Sequence, residues 1–203
     1  AAEGKGLGRA DNFVVFVEKG IPGDVVQAKI TQKKKDYAHA EIVSLEKASD
    51  KRTTPVCKHF GTCGGCKWQH VQYAHQLSFK QQIVADAFRR IGKMELPNIE
   101  PIVGCEEITE YRNKLEFTFS DRVWLTREQI DSGIAFNKNA LGFHAAGHFS
   151  SVLQIEECHL QDNRNNDIRN AVYQFVTEHA YSFYNLKYHE GLMRNLILRN
   201  TTL

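Results

Sequence analysis

Three of the five cysteines in this chain lie within ten consecutive residues, in the pattern Cys57-x5-Cys63-Gly64-Gly65-Cys66. The paired glycines let the backbone turn tightly, so the three thiols can point at one centre. Three sulfurs leave a tetrahedral metal ion or a cubane iron–sulfur cluster one ligand short, and Cys105 or Cys158 could supply the fourth. This cysteine-rich segment constrains the fold more than any other feature of the sequence.

Four kinds of cysteine site compete for this pattern. A disulfide is not expected in a cytoplasmic chain, and residues 1–11 contain no apolar stretch that would indicate a signal peptide. A redox dithiol of the Cys-x-x-Cys type normally has no third cysteine nearby. A structural zinc ion is compatible, although the gap between Cys57 and Cys63 exceeds the usual spacing of about two to four residues. A [4Fe–4S] cluster suits three clustered cysteines and a remote one, so the spacing leaves zinc and the cluster open.

Charge is distributed unevenly along the 203 residues. Residues 1–100 hold 16 Lys and Arg against 11 Asp and Glu, whereas residues 101–203 hold 10 against 13. The basic first half includes the run Lys33-Lys34-Lys35 and weakly favours a polyanionic partner. The longest apolar run, Phe13–Val17, is far shorter than a membrane span, so we expect a soluble cytoplasmic protein with no membrane partner.

The first part of the sequence predicts a small β-barrel. Short β-branched and aromatic runs at 13–17, 25–30 and 37–45 are separated by turn residues such as Pro22-Gly23-Asp24. The segment Gly4–Arg9 looks like a phosphate loop, but it does not fit G-x-G-x-x-G and it precedes a strand rather than a helix. We therefore predict a mobile loop there and no dinucleotide site.

The remainder predicts an α+β, β-rich fold with an antiparallel sheet. In the segment 114–120, three apolar side chains alternate with polar ones, which is typical of a half-buried strand: Leu115, Phe117 and Phe119. A helix is predicted over 73–92, ending at Gly92. A second amphipathic helix is predicted from an apolar face that consists of Ile168, Ala171, Val172, Phe175, Val176 and His179.

The cysteine-rich segment and its surroundings resemble one known family. The stretch Pro55–His70, followed by Tyr73, Gln76, Leu77 and Lys80, strongly resembles RNA (uracil-5-)-methyltransferases of the RumA/RlmD type. Upstream motifs look like a TRAM domain, a small OB-like RNA-binding barrel: Gly6-Leu7-Gly8-Arg9, Val15-Phe16-Val17, Pro22-Gly23-Asp24 and Lys33-Lys34-Lys35. Downstream motifs look like the central domain of that family: Tyr111-Arg112-Asn113-Lys114, Leu141-Gly142-Phe143, Cys158-His159-Leu160 and Gly191-Leu192-Met193-Arg194-Asn195-Leu196.

This resemblance implies a TRAM barrel over 1–54 and a central domain over 55–203. In the family the fourth cluster ligand lies in a Cys-x-Leu context, which matches Cys158. The resemblance therefore implies a structural, RNA-positioning [4Fe–4S] cluster on Cys57, Cys63, Cys66 and Cys158. Cys105 is then expected to be a small buried apolar residue.

The resemblance also implies a parent enzyme that uses S-adenosylmethionine to methylate C5 of a uridine in 23S rRNA. A cysteine of such an enzyme attacks C6 of the base. Because this chain has no cysteine after Cys158 and no glycine-rich turn for the cofactor, we expect an inactive RNA-binding part whose methyltransferase domain lies C-terminal to it in the same protein. In the family the 73–92 helix packs on that domain, and without it we expect self-association or repacking.

Ribosomal RNA is favoured as substrate because the tRNA-directed relatives typically lack both the TRAM domain and the cluster. Two alternatives are a stand-alone RNA-binding module and a zinc-ribbon-like binding protein. Candidate RNA contacts combine basic and aromatic side chains, which bind phosphates and stack on bases. They are Lys5, Arg9, Lys33, Lys34, Lys35, Arg52, Lys58, His59, Phe60, Arg112, Asn113, Lys114 and Arg194. For Phe60, shielding of the cluster from solvent is an equal alternative.

Overall fold

The computed structural model describes residues 4–11, 13–95 and 98–201. It is a β-rich α+β structure, as predicted, and it divides into two compact units over its described residues. The first unit comprises Ala1–Val56 and Lys67–Glu106, and the second comprises Cys57–Cys66 and Glu107–Leu203. Every helix in the described part of the chain is too short or too polar to cross a membrane.

The first unit contains a four-stranded sheet in the order β1-β2-β4-β3. Its strands are β1 Gly6–Ala10, β2 Phe13–Glu18, β3 Val25–Lys33 and β4 Tyr37–Lys47. The strands β2 and β4 pair in parallel, while the other two pairs are antiparallel. The three strands predicted from β-branched and aromatic runs are confirmed, and β1 and β3 form the edges of the sheet.

The prediction of a mobile loop at Gly4–Arg9 is wrong for the part that forms β1. Its residues pair one by one with β2, from Gly6 opposite Val17 to Ala10 opposite Phe13. A side chain at Gly6 would lie 2.8 Å from the backbone carbonyl of Gly20, so only glycine lets β1 approach this closely. Glycines contribute no apolar alternation, which is why the pattern gave no strand signal here.

The predicted turn at Pro22-Gly23-Asp24 is organised by the carboxylate of Asp24. Its oxygens accept hydrogen bonds from the N–H of Ile21 at 2.8 Å and the N–H of Ser49 at 3.0 Å. They also accept from the guanidinium of Arg52, at 2.8 Å from Nε and 2.6 Å from Nη2. One nearly buried carboxylate therefore joins the turn before β3 to the segment after β4.

The predicted helix over 73–92 forms α1, Tyr73–Asp86, followed by a π-helical turn, Ala87–Ile91. Gln76 ties its first turn to the preceding segment, because its side-chain amide donates to the carbonyls of Trp68 and Val71 at 3.1 and 2.8 Å. No residue of α1 or the π-helical turn is buried within the structure as described, and Ile91 is 84% exposed. This helix belongs to the same compact unit as the sheet β1–β4.

The second unit is built on an antiparallel sheet, as predicted, and its strands lie in the order β7-β6-β5-β8. Its strands are β5 Lys114–Ser120, β6 Ala140–Ala145, β7 His148–Gln154 and β8 Asn195–Arg199. The alternation read from the sequence is confirmed in β5, whose Leu115, Phe117 and Phe119 are all buried in the core. A short helix α2, Arg127–Asp131, begins at a capping box on Thr126 and was not predicted.

Helix α3, Arg164–Glu178, confirms the second predicted helix but not the whole of its predicted buried face. Val176 is buried and Val172 packs against the core, whereas Ile168 and Phe175 are exposed. The remaining buried positions of the helix are polar: Asn165, Asn166 and Arg169. Asn166 bonds the backbone of Cys158, Asn165 bonds Asn200, and Arg169 bonds Asn166, so hydrogen bonding rather than apolar pattern decides which face of the helix is buried.

Candidate metal centre and nucleic-acid interface

The three clustered cysteines lie on a compact loop that is anchored to β6. Within it, the N–H of Phe60 donates to the carbonyl of Cys57 at 3.1 Å, and the N–H of Cys63 donates to the carbonyl of His59 at 2.9 Å. The N–H of Gly64 donates to the carbonyl of His144 at 3.1 Å. A Cβ at Gly64 would itself lie 3.1 Å from that oxygen, so glycine is needed where the loop meets the strand.

Cys158 lies in the buried loop between β7 and α3, in the same unit as the other three cysteines. Its backbone is clamped by Asn166 of α3. The N–H of Cys158 donates to Oδ1 at 2.9 Å, and Nδ2 donates back to the Cys158 carbonyl at 3.4 Å. The buried face of α3 therefore positions this cysteine.

The pKa values of these thiols indicate that the four cysteines share one electrostatic environment. Burial, with smaller contributions from charge on Cys66, Cys158 and Cys57, raises the pKa of Cys63 to about 11 against the lowering effect of the Gly65 N–H. Burial likewise raises the pKa values of Cys57 and Cys158, with contributions from the charge of Cys66. Because thiolates rather than thiols bind metals, a cation is required to hold Cys57, Cys63 and Cys158 ionised at neutral pH.

Backbone N–H groups point at three of the four sulfurs. The N–H of Gly65 donates to Sγ of Cys63 at 3.4 Å. The N–H groups of His59 and Phe60 lower the pKa of Cys57 against the effect of burial, and that of Leu160 does the same for Cys158. Such donors stabilise negative charge on sulfur and are one of the factors that tune iron–sulfur centres.

Cys105 is not part of this group and is not buried, so the prediction of a buried apolar residue is wrong. It lies in the first unit, in an irregular segment that follows the π-helical turn. Its N–H donates to the Tyr73 hydroxyl at 2.8 Å.

The described residues contain no group of three or more His, Cys, Asp or Glu side chains placed to share one metal ion. Donors to a single ion must approach one another closely, since each Zn–S bond is only about 2.3 Å long. The cysteines of a cubane cluster bind different irons, so their sulfurs lie further apart.

The basic residues of the first unit differ in whether their charge is already used within the fold. Lys5 forms an ion pair with Glu18 at 2.7 Å. Arg52 is held by Asp24 and also donates to the Lys19 carbonyl at 2.9 Å. Four predicted RNA contacts of this unit are exposed: Arg9, Lys33, Lys34 and Lys35. Arg52 is therefore placed as a structural residue, and these four remain available to a polyanion.

In the second unit the predicted RNA contacts lie at two places. Near the cysteine loop, Lys58 pairs with Glu156 at 2.6 Å, while His59 and Phe60 are half-buried. Arg112, Asn113 and Lys114 are exposed at the start of β5. Arg194 is also exposed and lies just before β8, with its guanidinium carbon 4.7 Å from the centre of the Tyr184 ring.

Arg194 borders a cleft of about 150 Å³ that the sequence did not reveal. Phe149 of β7 is 78% exposed there, and its ring centre lies 6.4 Å from that of His144. The aromatic and polar side chains that line this cleft include Ser120, His144, Phe149, Tyr184, Arg194 and Asn195. These side chains come from β5, β6, β7, the start of β8 and a loop, so only the sheet order brings them together. We call this cavity the aromatic cleft.

A larger cleft of about 590 Å³ lies beside α2 and is lined by Ile130, Ile134 and Phe136, among others. None of the residues predicted as RNA contacts or metal ligands lines it. The predicted contact Arg194 thus joins the smaller aromatic cleft rather than this larger cavity.

Comparisons with known proteins agree with the architecture. Residues 1–43 match the TRAM domain, which confirms the predicted domain type at the N-terminal end. An uncharacterized RNA methyltransferase of Bacteroides thetaiotaomicron is 49% identical over 203 residues, covering 100% of this chain and 45% of the relative. One from Porphyromonas gingivalis is 43% identical, with 100% and 45% coverage. The chain thus spans less than half the length of these relatives.

A solved structure shares the fold. The tRNA (uracil-54, C5)-methyltransferase of Pyrococcus abyssi, in complex with S-adenosyl-L-homocysteine, superposes with a TM-score of 0.60 at 22% sequence identity. The match covers 98% of this chain and 43% of that one. Similarity therefore extends through both compact units and is not limited to the TRAM segment.

Proposed function

We propose that this chain is the RNA-binding portion of an S-adenosylmethionine-dependent RNA (uracil-5-)-methyltransferase. The observation that carries the proposal is similarity over the whole chain to RNA methyltransferases about twice its length. The TRAM match supports RNA binding, and the fold is the one that a uracil-C5 enzyme also uses. Methyl transfer itself belongs to a domain outside these 203 residues, and the chain alone is expected to be inactive.

In this proposal the chain holds the RNA while the remainder of the protein carries out the chemistry. Exposed lysines at 33–35 and Arg9 bind phosphates of the RNA backbone, which supplies sequence-independent affinity. The aromatic cleft receives an unstacked base, because single-stranded RNA is recognised by stacking on aromatic rings and guanidinium planes. Arg194, already stacked on Tyr184, provides such a plane at the rim of the cleft.

We propose 23S rRNA as the substrate, with tRNA as the second candidate. The TRAM segment and the cysteine set favour ribosomal RNA. The fold, however, is shared over 98% of the chain with an enzyme named for tRNA uracil-54, so the architecture is compatible with both. A binding competition between fragments of 23S rRNA and unmodified tRNA separates the two, and tighter binding of tRNA would overturn the ribosomal assignment.

We propose further that Cys57, Cys63, Cys66 and Cys158 hold a [4Fe–4S] cluster. Four mutually interacting thiols, N–H donors aimed at their sulfurs, and buried unpartnered nitrogens on His59 and Arg169 fit such a group. When bound, the cluster would supply four iron–thiolate bonds that cross-link the 57–66 loop to the segment before α3. The anchoring of Gly64 to β6 and of Cys158 to Asn166 pre-positions both sides of that link.

The metal proposal is tested on anaerobically purified protein by iron, sulfide and zinc analysis. We expect stoichiometric iron and sulfide and a brown colour. Cys158→Ala is expected to lose the cluster, whereas the matched variant Cys105→Ala keeps it, since Cys105 lies in the other unit. Colourless protein with one zinc per chain would instead establish the zinc-ribbon alternative.

The enzymatic proposal is tested on the full-length protein that contains this chain. With labelled S-adenosylmethionine and 23S rRNA, we expect methyl incorporation at uridine C5 by the full protein and none by these residues alone. A full-length protein that binds RNA but methylates neither 23S rRNA nor tRNA would favour the stand-alone binding module.

The exposed face of α1 and the π-helical turn is proposed to pack on the methyltransferase domain, or on a second copy when that domain is absent. Val84, Phe88 and Ile91 are all exposed on this helix. Sedimentation of the isolated chain tests the second option. A monomer at high concentration would rule out self-association.

A further inference from the structure

Arg169 on α3 is a cation buried in the second unit. Only 1% of its surface is exposed, and no carboxylate of the described residues lies within ion-pair distance of its guanidinium. Its Nη1 donates to Asn166 at 2.9 Å and its Nη2 donates to Asn170 at 3.0 Å, both neutral acceptors. Its Nε is buried and has no hydrogen-bond partner. A buried charge without a counter-charge is strongly unfavourable, so this arrangement calls for an anion.

The negative groups that interact with Arg169 are Cys158, Glu156 and Glu157. Glu156 is exposed and paired with Lys58, and Glu157 lies 3.6 Å from His159. Cys158 is the buried member of the three, and Asn166 contacts both its backbone and the guanidinium of Arg169. Asn166 therefore connects the buried guanidinium of Arg169 to the backbone of Cys158.

A second unpartnered nitrogen lies on the cysteine loop itself. The Nε2 of His59 is buried without a hydrogen-bond partner, and His59 interacts electrostatically with Arg169. Two buried nitrogens of the second unit, one on the cysteine loop and one on the helix that holds Cys158, thus have no hydrogen-bond partner. Buried polar groups in native proteins are almost always paired, so the Arg169 Nε–H indicates an acceptor that the polypeptide does not supply, and His59 Nε2 indicates a missing hydrogen-bond partner.

We propose that Arg169 is the counter-cation of the metal centre, donating from Nε to a sulfur of the bound group and offsetting the negative charge of the four thiolates. This inference rests on the proposed cluster. It assigns Arg169 a positioning and charge-compensating role, and the cation–π contact with Phe117, at 5.2 Å from the ring centre, holds the guanidinium in place.

The proposal predicts the direction of two measurable effects. Reduction adds negative charge to the cluster, so a neighbouring cation stabilises the reduced form and raises the reduction potential. Removing the cation lowers the equilibrium constant for reduction about tenfold, which is about 59 mV for a one-electron couple. Loss of a side chain that hydrogen-bonds to a metal's ligands also weakens metal retention, by about 10- to 100-fold.

The test compares Arg169→Met, which removes the charge at similar length, with Arg169→Lys, which keeps it. Arg164→Met is the matched control, because Arg164 lies on the same helix but is exposed and paired with Asp162. Reduction potentials are measured by dithionite titration followed by electron paramagnetic resonance, and iron release is followed with a chelator. We expect lowered potential and faster release in Arg169→Met, near-normal potential in Arg169→Lys, and no change in Arg164→Met.

Thermal unfolding of metal-free protein guards against a purely structural explanation. Replacing a buried unpaired cation by an apolar side chain is commonly neutral or stabilising. Metal-free Arg169→Met is therefore expected to be at least as stable as the metal-free parent. Its cluster-loaded form, in contrast, is expected to release iron faster than the loaded parent. If the parent carries a cluster and Arg169→Met has the same potential and release rate, the role of Arg169 is refuted. If the parent binds no iron or sulfide, the cluster proposal itself fails.

Discussion

Replacing Phe149 by alanine provides a direct test of the aromatic cleft as a base-stacking site. Phe149 projects from β7 with 78% of its surface exposed, beside the ring of His144 and in the same cleft as Arg194. An exposed phenylalanine on a strand contributes little to the core. It is well placed, however, to cover the face of a base that has left its stack.

The structure sets two magnitudes for this change. Full burial of a phenylalanine contributes about 1.5–3 kcal/mol, so the one-fifth of Phe149 that is buried accounts for roughly 0.5 kcal/mol of folding stability. Stacking of one base on an aromatic ring contributes about 1–3 kcal/mol to binding. Removing the ring should therefore weaken RNA binding about 5- to 150-fold while leaving the protein folded.

The assay is fluorescence anisotropy with a labelled, single-stranded, uridine-rich RNA at several salt concentrations. Phe149→Ala is expected to lower affinity by a constant factor at every salt concentration, since stacking involves no phosphate charge. Phe149→Trp should restore binding. Ile134→Ala, which removes a 67% exposed side chain from the cleft beside α2, is the matched control and should bind normally. Unchanged affinity of Phe149→Ala would refute base stacking in the aromatic cleft.

Four further predictions concern charge, stability and thiol reactivity. Replacing Lys33, Lys34 and Lys35 together by alanine should flatten the dependence of log affinity on log salt by about 0.7 for each phosphate that is no longer neutralised, measured in the same anisotropy assay. Burial raises the pKa of Asp24, but hydrogen bonds from Arg52, Ile21 and Ser49 outweigh it and hold the pKa below its usual value. This stabilisation is present above about pH 4 and disappears as pH falls through the folded-state pKa, so Asp24→Asn should lose about 3 kcal/mol near neutral pH and show a weaker acid dependence in urea unfolding. Gly142→Ala would place a Cβ 2.1 Å from the Leu153 carbonyl and should cost about 3 kcal/mol, whereas Gly8→Ala meets nothing within 4 Å and should be nearly neutral; equal melting temperatures of the two variants would contradict this packing. In metal-free protein, iodoacetamide should modify exposed Cys105 before Cys63, whose pKa burial raises to about 11, as peptide mass mapping would show.

Strand β5 could be predicted from the sequence pattern alone. Leu115, Phe117 and Phe119 alternate with polar residues, and all three are buried as that period predicts. Strand β1 could not, because Gly6 and Gly8 leave no apolar pattern to read. This segment is a strand because it pairs with β2, and that pairing depends on the whole fold rather than on the residues of the segment.

The candidate sites divide in the same way. The proposed cysteine set comes from the sequence, because three of its members are close together and the family resemblance points to Cys158 as the fourth. The buried side chains around it could not be predicted, since Arg169 is a charged residue on a helix whose apolar pattern favoured Ile168 and Phe175. Of the aromatic cleft the sequence indicated only Arg194, because Phe149, Tyr184 and Arg194 lie on separate elements that only the sheet order brings together.

The chain alternates between its two compact units, and this order has a consequence during synthesis. The 57–66 loop belongs to the second unit, yet the next 40 residues complete the first, from Lys67 to Glu106. Cys158 follows Cys66 by 92 positions, so at about 5–20 residues per second the three clustered thiols leave the ribosome roughly 5 to 20 seconds before the fourth. During that interval the first unit can fold while the loop still lacks strand β6 and Cys158. If the proposed cluster forms at these four cysteines, its assembly is therefore completed late in synthesis, after the sheet β1–β4 has had time to form.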